Sequence, residues 1–220
     1  MERLDRTAFR INTFEEADNS TAYWLTRSVS ERLRAADMLI RQAYDLPKTR
    51  VLRLDRTQAS VRCRYMSNNI FNPDFQDLLQ AFNDQDVRYI LVGGYAVIVH
   101  GYGRSTGDLD LWVDATPENY KAIANAFRQF RMPLFDMSED KFLRTQDYDV
   151  FTFGVPPIAI DIITKLKGLS FPDAFANASR YEFEDLSVRV IQYGDLITAK
   201  RAAGRNRDLN DIERLEKGRE

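Results

Sequence analysis

The sequence has one cysteine, Cys63, and one histidine, His100. A lone thiol cannot close a disulfide within the chain, and Cys63 has no Cys or His neighbour at the spacing a zinc site needs. His100, beside a turn, reads as a satisfied buried residue and not as a catalytic base. Long apolar runs are also missing. Spanning a bilayer takes roughly 20 residues, and the longest apolar run, around Ile90 to Val99, is interrupted by glycines. The opening Met1-Glu2-Arg3-Leu4-Asp5-Arg6 lacks the apolar core of a signal peptide. A cytoplasmic protein with no membrane partner is therefore expected. No internal repeat or low-complexity tract occurs, and a net charge of −2 points to no partner by itself.

What is present is the composition of a globular protein: 220 residues, 44% apolar and 29% charged. That length predicts one domain of ordinary size plus something extra. The charge is uneven about Met66, with 13 Lys/Arg against 9 Asp/Glu in residues 1–65 and 18 against 24 in the remainder. The front is basic and the back acidic. Thr13 to Glu16 and Ser28 to Glu31 both place Glu three residues after Ser/Thr, the capping-box signature of a helix start. The second predicted helix carries Leu33, Ala36, Leu39, Ile40 and Ala43 on one side, an apolar face that needs a partner, and ends before Pro47.

Between Lys48 and Arg64 stand six Lys/Arg against one Asp, which reads as a connector. A basic arm for nucleic acid is the alternative, but no aromatic residues interleave there to stack on bases. From Met66 the chain reads like the start of another protein. Two regions follow: residues 1–65, a helical, basic extension and connector, and residues 66–220, a second domain. A fusion of two genes or an internal translation start would account for this. A single full-length band on a blot against the C terminus would count against the internal start.

In the second region Asn72-Pro73-Asp74 opens a helix burying Phe75, Leu78, Leu79 and Phe82. A strand over residues 88–92 runs into Gly93-Gly94, with a buried helix behind the turn to His100. Thr116-Pro117-Glu118 opens a helix with Tyr120, Ile123, Ala124 and Phe127 inward. Strands are predicted over residues 109–113, 150–153, 158–163 and 187–191, and one closing helix from Asp195 onward. Trp112 is read as alternating with the aspartate face and pointing into the core.

Asp108 and Asp110 lie at i and i+2 on a strand, so their carboxylates share a face, as a divalent metal site requires. Asp161 sits in the apolar, β-branched run Ile158 to Ile163, where an acid is costly unless paired or coordinated. It is either salt-bridged beneath the sheet or a third metal-facing carboxylate. On the closing helix Lys200 is near Asp208 and Asp211, which suggests a hydrogen-bonded nucleotide pocket, although most charged helix faces are simply solvated. Arg104 and Thr106 either reach phosphate or serve as turn residues.

Gly93-Gly94, Asp108-Leu109-Asp110 and the strand acid Asp161 together resemble the nucleotidyltransferase superfamily related to DNA polymerase beta, and most closely small bacterial nucleotidyltransferases of the minimal and abortive-infection toxin type. The resemblance covers most of residues 70–216. It implies an α+β fold, a short mixed sheet flanked by helices, with residues 1–65 as a small helical extension and 66–220 as the nucleotidyltransferase domain. It also implies that Asp108, Asp110 and Asp161 hold two Mg²⁺ ions, with Mn²⁺ an alternative. Gly93, Gly94, Arg104, Thr106, Lys200 and Asp211 would then contact a nucleoside triphosphate. The chain departs from the minimal type in its spacing and in having Gly-Gly where that type has Gly-Ser, so a hydroxyl at position 94 is missing.

The function this implies is transfer of a nucleoside monophosphate to a hydroxyl on RNA or protein, in a toxin–antitoxin or phage-defence setting with an antitoxin or toxin partner. Two alternatives stand beside it: a catalytically silent binding or antitoxin module on the same fold, and an enzyme modifying a small molecule such as an aminoglycoside.

Overall fold

The computed structural model describes residues 5–12, 20–43 and 70–217. The helix start at Thr13, the connector, Cys63 and Met66 lie outside these residues. The first elements are strand β1 (Phe9–Asn12) and helices α1 (Ser20–Leu25) and α2 (Val29–Ala43). There follow α3 (Pro73–Asp84), β2 (Tyr89–Leu91), α4 (Gly93–Val99), β3 (Asp108–Val113), α5 (Pro117–Gln129) and α6 (Glu139–Leu143). The chain then forms β4 (Val150–Val155), β5 (Ile158–Ile163), α7 (Phe171–Asn177), β6 (Ser179–Phe183), β7 (Leu186–Val190), α8 (Tyr193–Ala203) and α9 (Asn206–Lys217). Among the described residues seven strands form one mixed sheet in the order β1-β4-β5-β3-β2-β7-β6. This is the α+β sheet flanked by helices that the sequence implied. No helix of the described residues is long and apolar enough to cross a membrane.

Local chemistry explains the main elements. Asn72 caps α3 by accepting from Phe75 N–H at 2.9 Å, with Pro73 in the first turn, and Phe75, Leu78, Leu79 and Phe82 are fully buried. Thr116 and Pro117 open α5 in the same way, and its inward face is Ile123, Ala126 and Phe127. At α2 the capping box forms in full: Glu31 Oε2 accepts from Ser28 N–H at 2.9 Å, and Ser28 Oγ accepts from Glu31 N–H at 3.3 Å.

Some elements differ from expectation. β1 is a strand in a region read as helical; it pairs antiparallel with β4, Phe9 opposite Phe153, and Phe9 packs on the Phe153 and Phe135 rings. The closing helix is two helices, because Gly204 adopts a left-handed conformation (φ +66°) that ends α8 and lets α9 fold back. Trp112 is buried as expected, but it shares parity with Asp108 and Asp110, so it lies on their face, edge-on to Phe171. The buried side of α2 is not the expected stripe: Ala35 is buried and Met38 packs against the core, whereas Leu33, Ala36 and Ile40 of that stripe are exposed.

Candidate active site

β3 and β5 run parallel, and their register sets Asp110 directly opposite Asp161. Asp108, two residues earlier on β3, belongs to the same face. Three carboxylates thus stand on adjacent strands by backbone placement alone. Asp161 Oδ1 accepts a 2.6 Å hydrogen bond from Thr152 Oγ1, on the opposite residue of β4. That hydroxyl lowers the cost of an acid in a strand whose every residue is buried.

The Gly93-Gly94 turn lies against Asp110. Gly93 has φ +59°, and a Cβ there would fall 1.9 Å from Asp110 Oδ2; Gly94 N–H points to the same oxygen at 3.4 Å. Only glycine serves at position 93, on conformation and on space. At Gly94 a Cβ would meet Thr106 Oγ1 at 2.3 Å and Arg104 Nη2 at 2.9 Å. The space in which a Gly-Ser turn carries its hydroxymethyl group is filled here by the Thr106 hydroxyl and the Arg104 guanidinium. Gly-Gly and Thr106 are two halves of one arrangement.

α8 and α9 form the other wall. Lys200 Nζ, buried, donates to Asp208 Oδ1 at 2.7 Å and to Asp211 Oδ2 at 2.8 Å. Arg205 Nε donates to Asp208 Oδ2 at 2.7 Å, and Arg104 Nε stands 3.2 Å from Asp211 Oδ1. This ionic latch ties α9 to α8 and to the segment leading into β3. Burial pulls the Arg104 guanidinium below its usual range, and nearby Arg207 adds to that, while Asp211, Asp110 and Asp208 oppose it. For Asp208, burial works upward, but the hydrogen bonds and charges of Arg205 and Lys200 prevail, so its carboxyl lies below the ordinary 3.8.

A cleft of about 810 Å³, counting open solvent at its mouth, brings these residues together. Gly93, Gly94, Arg104, Thr106, Asp108, Asp110, Asp161 and Lys200 all line it. Asp211 lies behind the wall, on Lys200 and Arg104. Val150, Ile163, Leu166, Ile191 and Leu196 supply an apolar side. Three oxygen-only acids facing one cleft are the donor chemistry that suits a hard divalent cation. Among the described residues no three acid, histidine or cysteine side chains are already gathered as a closed ligand set.

The candidate residues drawn from the sequence did not include Arg205 and Arg207, which line the cleft, or Thr152, which supports Asp161. Gly204 was the available signal for the first two, since a helix end there turns the next residues toward the site. Thr152, a polar residue in the apolar run of β4, was the signal for the third. His100 Nε2 is 2.8 Å from the Ile191 carbonyl oxygen, and its ring meets Tyr181 and Tyr193 edge-on, a structural role.

No curated protein matches the chain. A crystal structure at 1.87 Å of a candidate nucleotidyltransferase from Thermotoga maritima is 13% identical, over 66% of this chain and 91% of its own, with a TM-score of 0.43, a likeness too slight to bear on this protein. Residues 73–216, which hold the turn, the three acids and the latch, match the family described as nucleotidyltransferases of unknown function (DUF6036), and the chain belongs to that family.

Proposed function

We propose that the protein is a cytoplasmic, metal-dependent nucleotidyltransferase that moves a nucleoside monophosphate from a nucleoside triphosphate to a hydroxyl on RNA or protein. The observation that carries this reading is the register of β3 and β5, which sets Asp110 opposite Asp161 with Asp108 on the same face, above a Gly-Gly turn. Asp108, Asp110 and Asp161 would hold Mg²⁺, or Mn²⁺ in its place. Bound there, the metal neutralises charge on the transferring phosphoryl group.

The chain's own residues have distinct tasks in this reading. Gly93 and Gly94 let the triphosphate approach the backbone and offer N–H donors to its oxygens. Arg104, Thr106 and Lys200 face the same phosphates, and Asp211 orients Lys200 and Arg104. The acceptor oxygen forms a bond to the α-phosphorus as the bond from that phosphorus to the pyrophosphate oxygen breaks. Pyrophosphate leaves with the electron pair, and the hydroxyl proton passes to one of the three carboxylates. The resemblance to abortive-infection toxins extends the reading to a toxin–antitoxin or phage-defence pair.

A second reading, a silent binding module, is favoured by one observation: the acids share the cleft wall without forming a closed ligand set among the described residues. Thermal melting separates the two. A working site gives a rise of roughly 5–10 °C with saturating Mg²⁺ and nucleoside triphosphate, absent in Asp108→Ala. No rise in the unmodified protein favours the silent module.

A further inference from the structure

A second cleft, about 790 Å³ with its open mouth, lies beside the first. The two share Thr106, Asp108 and Arg207, so they meet at the first carboxylate of the β3 pair. The outer walls of the second come from the N-terminal helices: Trp24 on α1, and Arg32, Ala35, Ala36 and Leu39 on α2. The seating of α2 is close. A Cβ on Gly107, the residue before Asp108, would fall 1.8 Å from the Pro157 carbonyl oxygen and 3.3 Å from Leu39 Cδ2. The loop entering Asp108 is therefore held between the β4–β5 turn and α2, beside the first of the three acids.

Its chemistry is specific. Two arginines, Arg32 and Arg207, line it together with Trp24 and the aliphatic residues Ala35, Ala36 and Leu39. Among the described residues lining it, Asp108 is the one carboxylate. A polycationic acceptor such as an aminoglycoside requires several acids and would meet two like charges instead. A planar aromatic group carrying a phosphate fits, because Trp stacks on any base and Arg binds phosphate oxygens.

We propose that this cleft is the acceptor subsite and that it takes a nucleotide, either free or as the end of a single RNA strand. The base lies on Trp24, the phosphate on Arg32 and Arg207, and the ribose hydroxyl reaches toward Asp108. The N-terminal helices are then part of the active enzyme. The proposal rests on the nucleotidyltransferase reading of the first cleft and names the acceptor for it.

The test is binding of a fluorescein-labelled five-residue oligoadenylate to the full chain by anisotropy, with competition by unlabelled AMP. Trp24→Ala/Arg32→Glu is expected to weaken oligonucleotide binding about tenfold or more, and Trp24→Phe/Arg32→Lys to recover most of it. Nucleoside triphosphate binding, followed by melting shift, stays unchanged in both variants. Displacement by AMP at comparable concentration assigns a free nucleotide; displacement only by excess oligoadenylate assigns an RNA end. The proposal is overturned if neither the oligonucleotide nor a fluorescently labelled AMP binds, or if Trp24→Ala/Arg32→Glu, with an unchanged melting temperature, binds them as the unmodified protein does. Loss of the triphosphate shift in the unmodified protein would instead count against the first cleft's reading, leaving the anisotropy result to stand by itself.

Discussion

Two groups of aspartates stand at one cleft, one on its strand wall and one in and behind its helical wall, and they are held in different ways. On α9, Asp208 and Asp211 are 3% and 1% exposed and are surrounded by the cations of Lys200, Arg205 and Arg104. On β3 and β5, Asp110 and Asp161 are placed by strand register and accept from the Gly94 N–H and the Thr152 hydroxyl, and the charge of Arg104 also acts on Asp110. The first arrangement spends its carboxylates on structure. The second brings like charges to one cleft wall, which costs stability unless a cation arrives. The same residue type is thus placed by strand register in one group and by a buried ionic network in the other.

That contrast breaks most sharply on activity. Asp110→Ala is expected to reduce nucleotidyl transfer about a thousandfold or more, since phosphoryl charge stabilisation is worth several kcal/mol. Its melting temperature should change little, because strand register and not a buried ionic network places this residue. A large fall in melting temperature would show that Asp110 belongs with the structural group.

Lys200→Met tests the other side. Removing the cation leaves Asp208 and Asp211 buried beside each other, at a cost of roughly 3–5 kcal/mol by denaturant unfolding. Adding Asp208→Asn and Asp211→Asn to that variant should restore part of the loss. An unchanged unfolding midpoint in Lys200→Met would remove the latch from the account.

The junction between the regions is Gly94, and it offers a smaller, reciprocal effect. Gly94→Ser places a Cβ where Thr106 Oγ1 stands 2.3 Å away, so triphosphate binding should weaken about tenfold, a cost of the size overpacking brings. Thr106→Ala in the same chain frees the space and lets the serine hydroxyl take over, restoring binding. Equal weakening in both the single and the double variant would show that Thr106 is not the obstacle.

The smallest effect is on acid stability. The folded Asp208 carboxyl lies below its ordinary 3.8, so the unfolded chain takes up this proton first as the pH falls. The stabilisation is complete above about pH 5 and is lost as the pH falls through the folded value. Asp208→Asn removes that dependence, which shows as a flatter melting-temperature profile below pH 4. Parallel profiles would mean that Asp208 is not held low.

The acid face was legible in the sequence and the latch only in part. Asp108, Asp110 and Asp161 stand out because carboxylates in apolar strands break the pattern, and α3 and α5 announce themselves with Asn72-Pro73 and Thr116-Pro117. β1 and β6 did not show. Phe9–Asn12 has four residues and exists by pairing with β4, whereas Ser179–Phe183 is largely exposed at the sheet edge and alternates only at Tyr181 and Phe183, too short a pattern to separate from a loop. α6 and α7 are five and seven residues long, too short for a helical period. Lys200, Asp208 and Asp211 were visible as neighbours in sequence, but their contact with Arg104 depends on the reversal at Gly204, a tertiary event. The place of Trp112 was misjudged by parity, since positions i, i+2 and i+4 of a strand share one face.

The most direct measurement of the central claim is incubation of the purified protein with each α-³²P-labelled nucleoside triphosphate, Mg²⁺ and total RNA or lysate, beside Asp108→Ala/Asp110→Ala. The account predicts label on an acceptor from the unmodified protein alone. Absence of transfer with every donor, or equal transfer by the double variant, would contradict it.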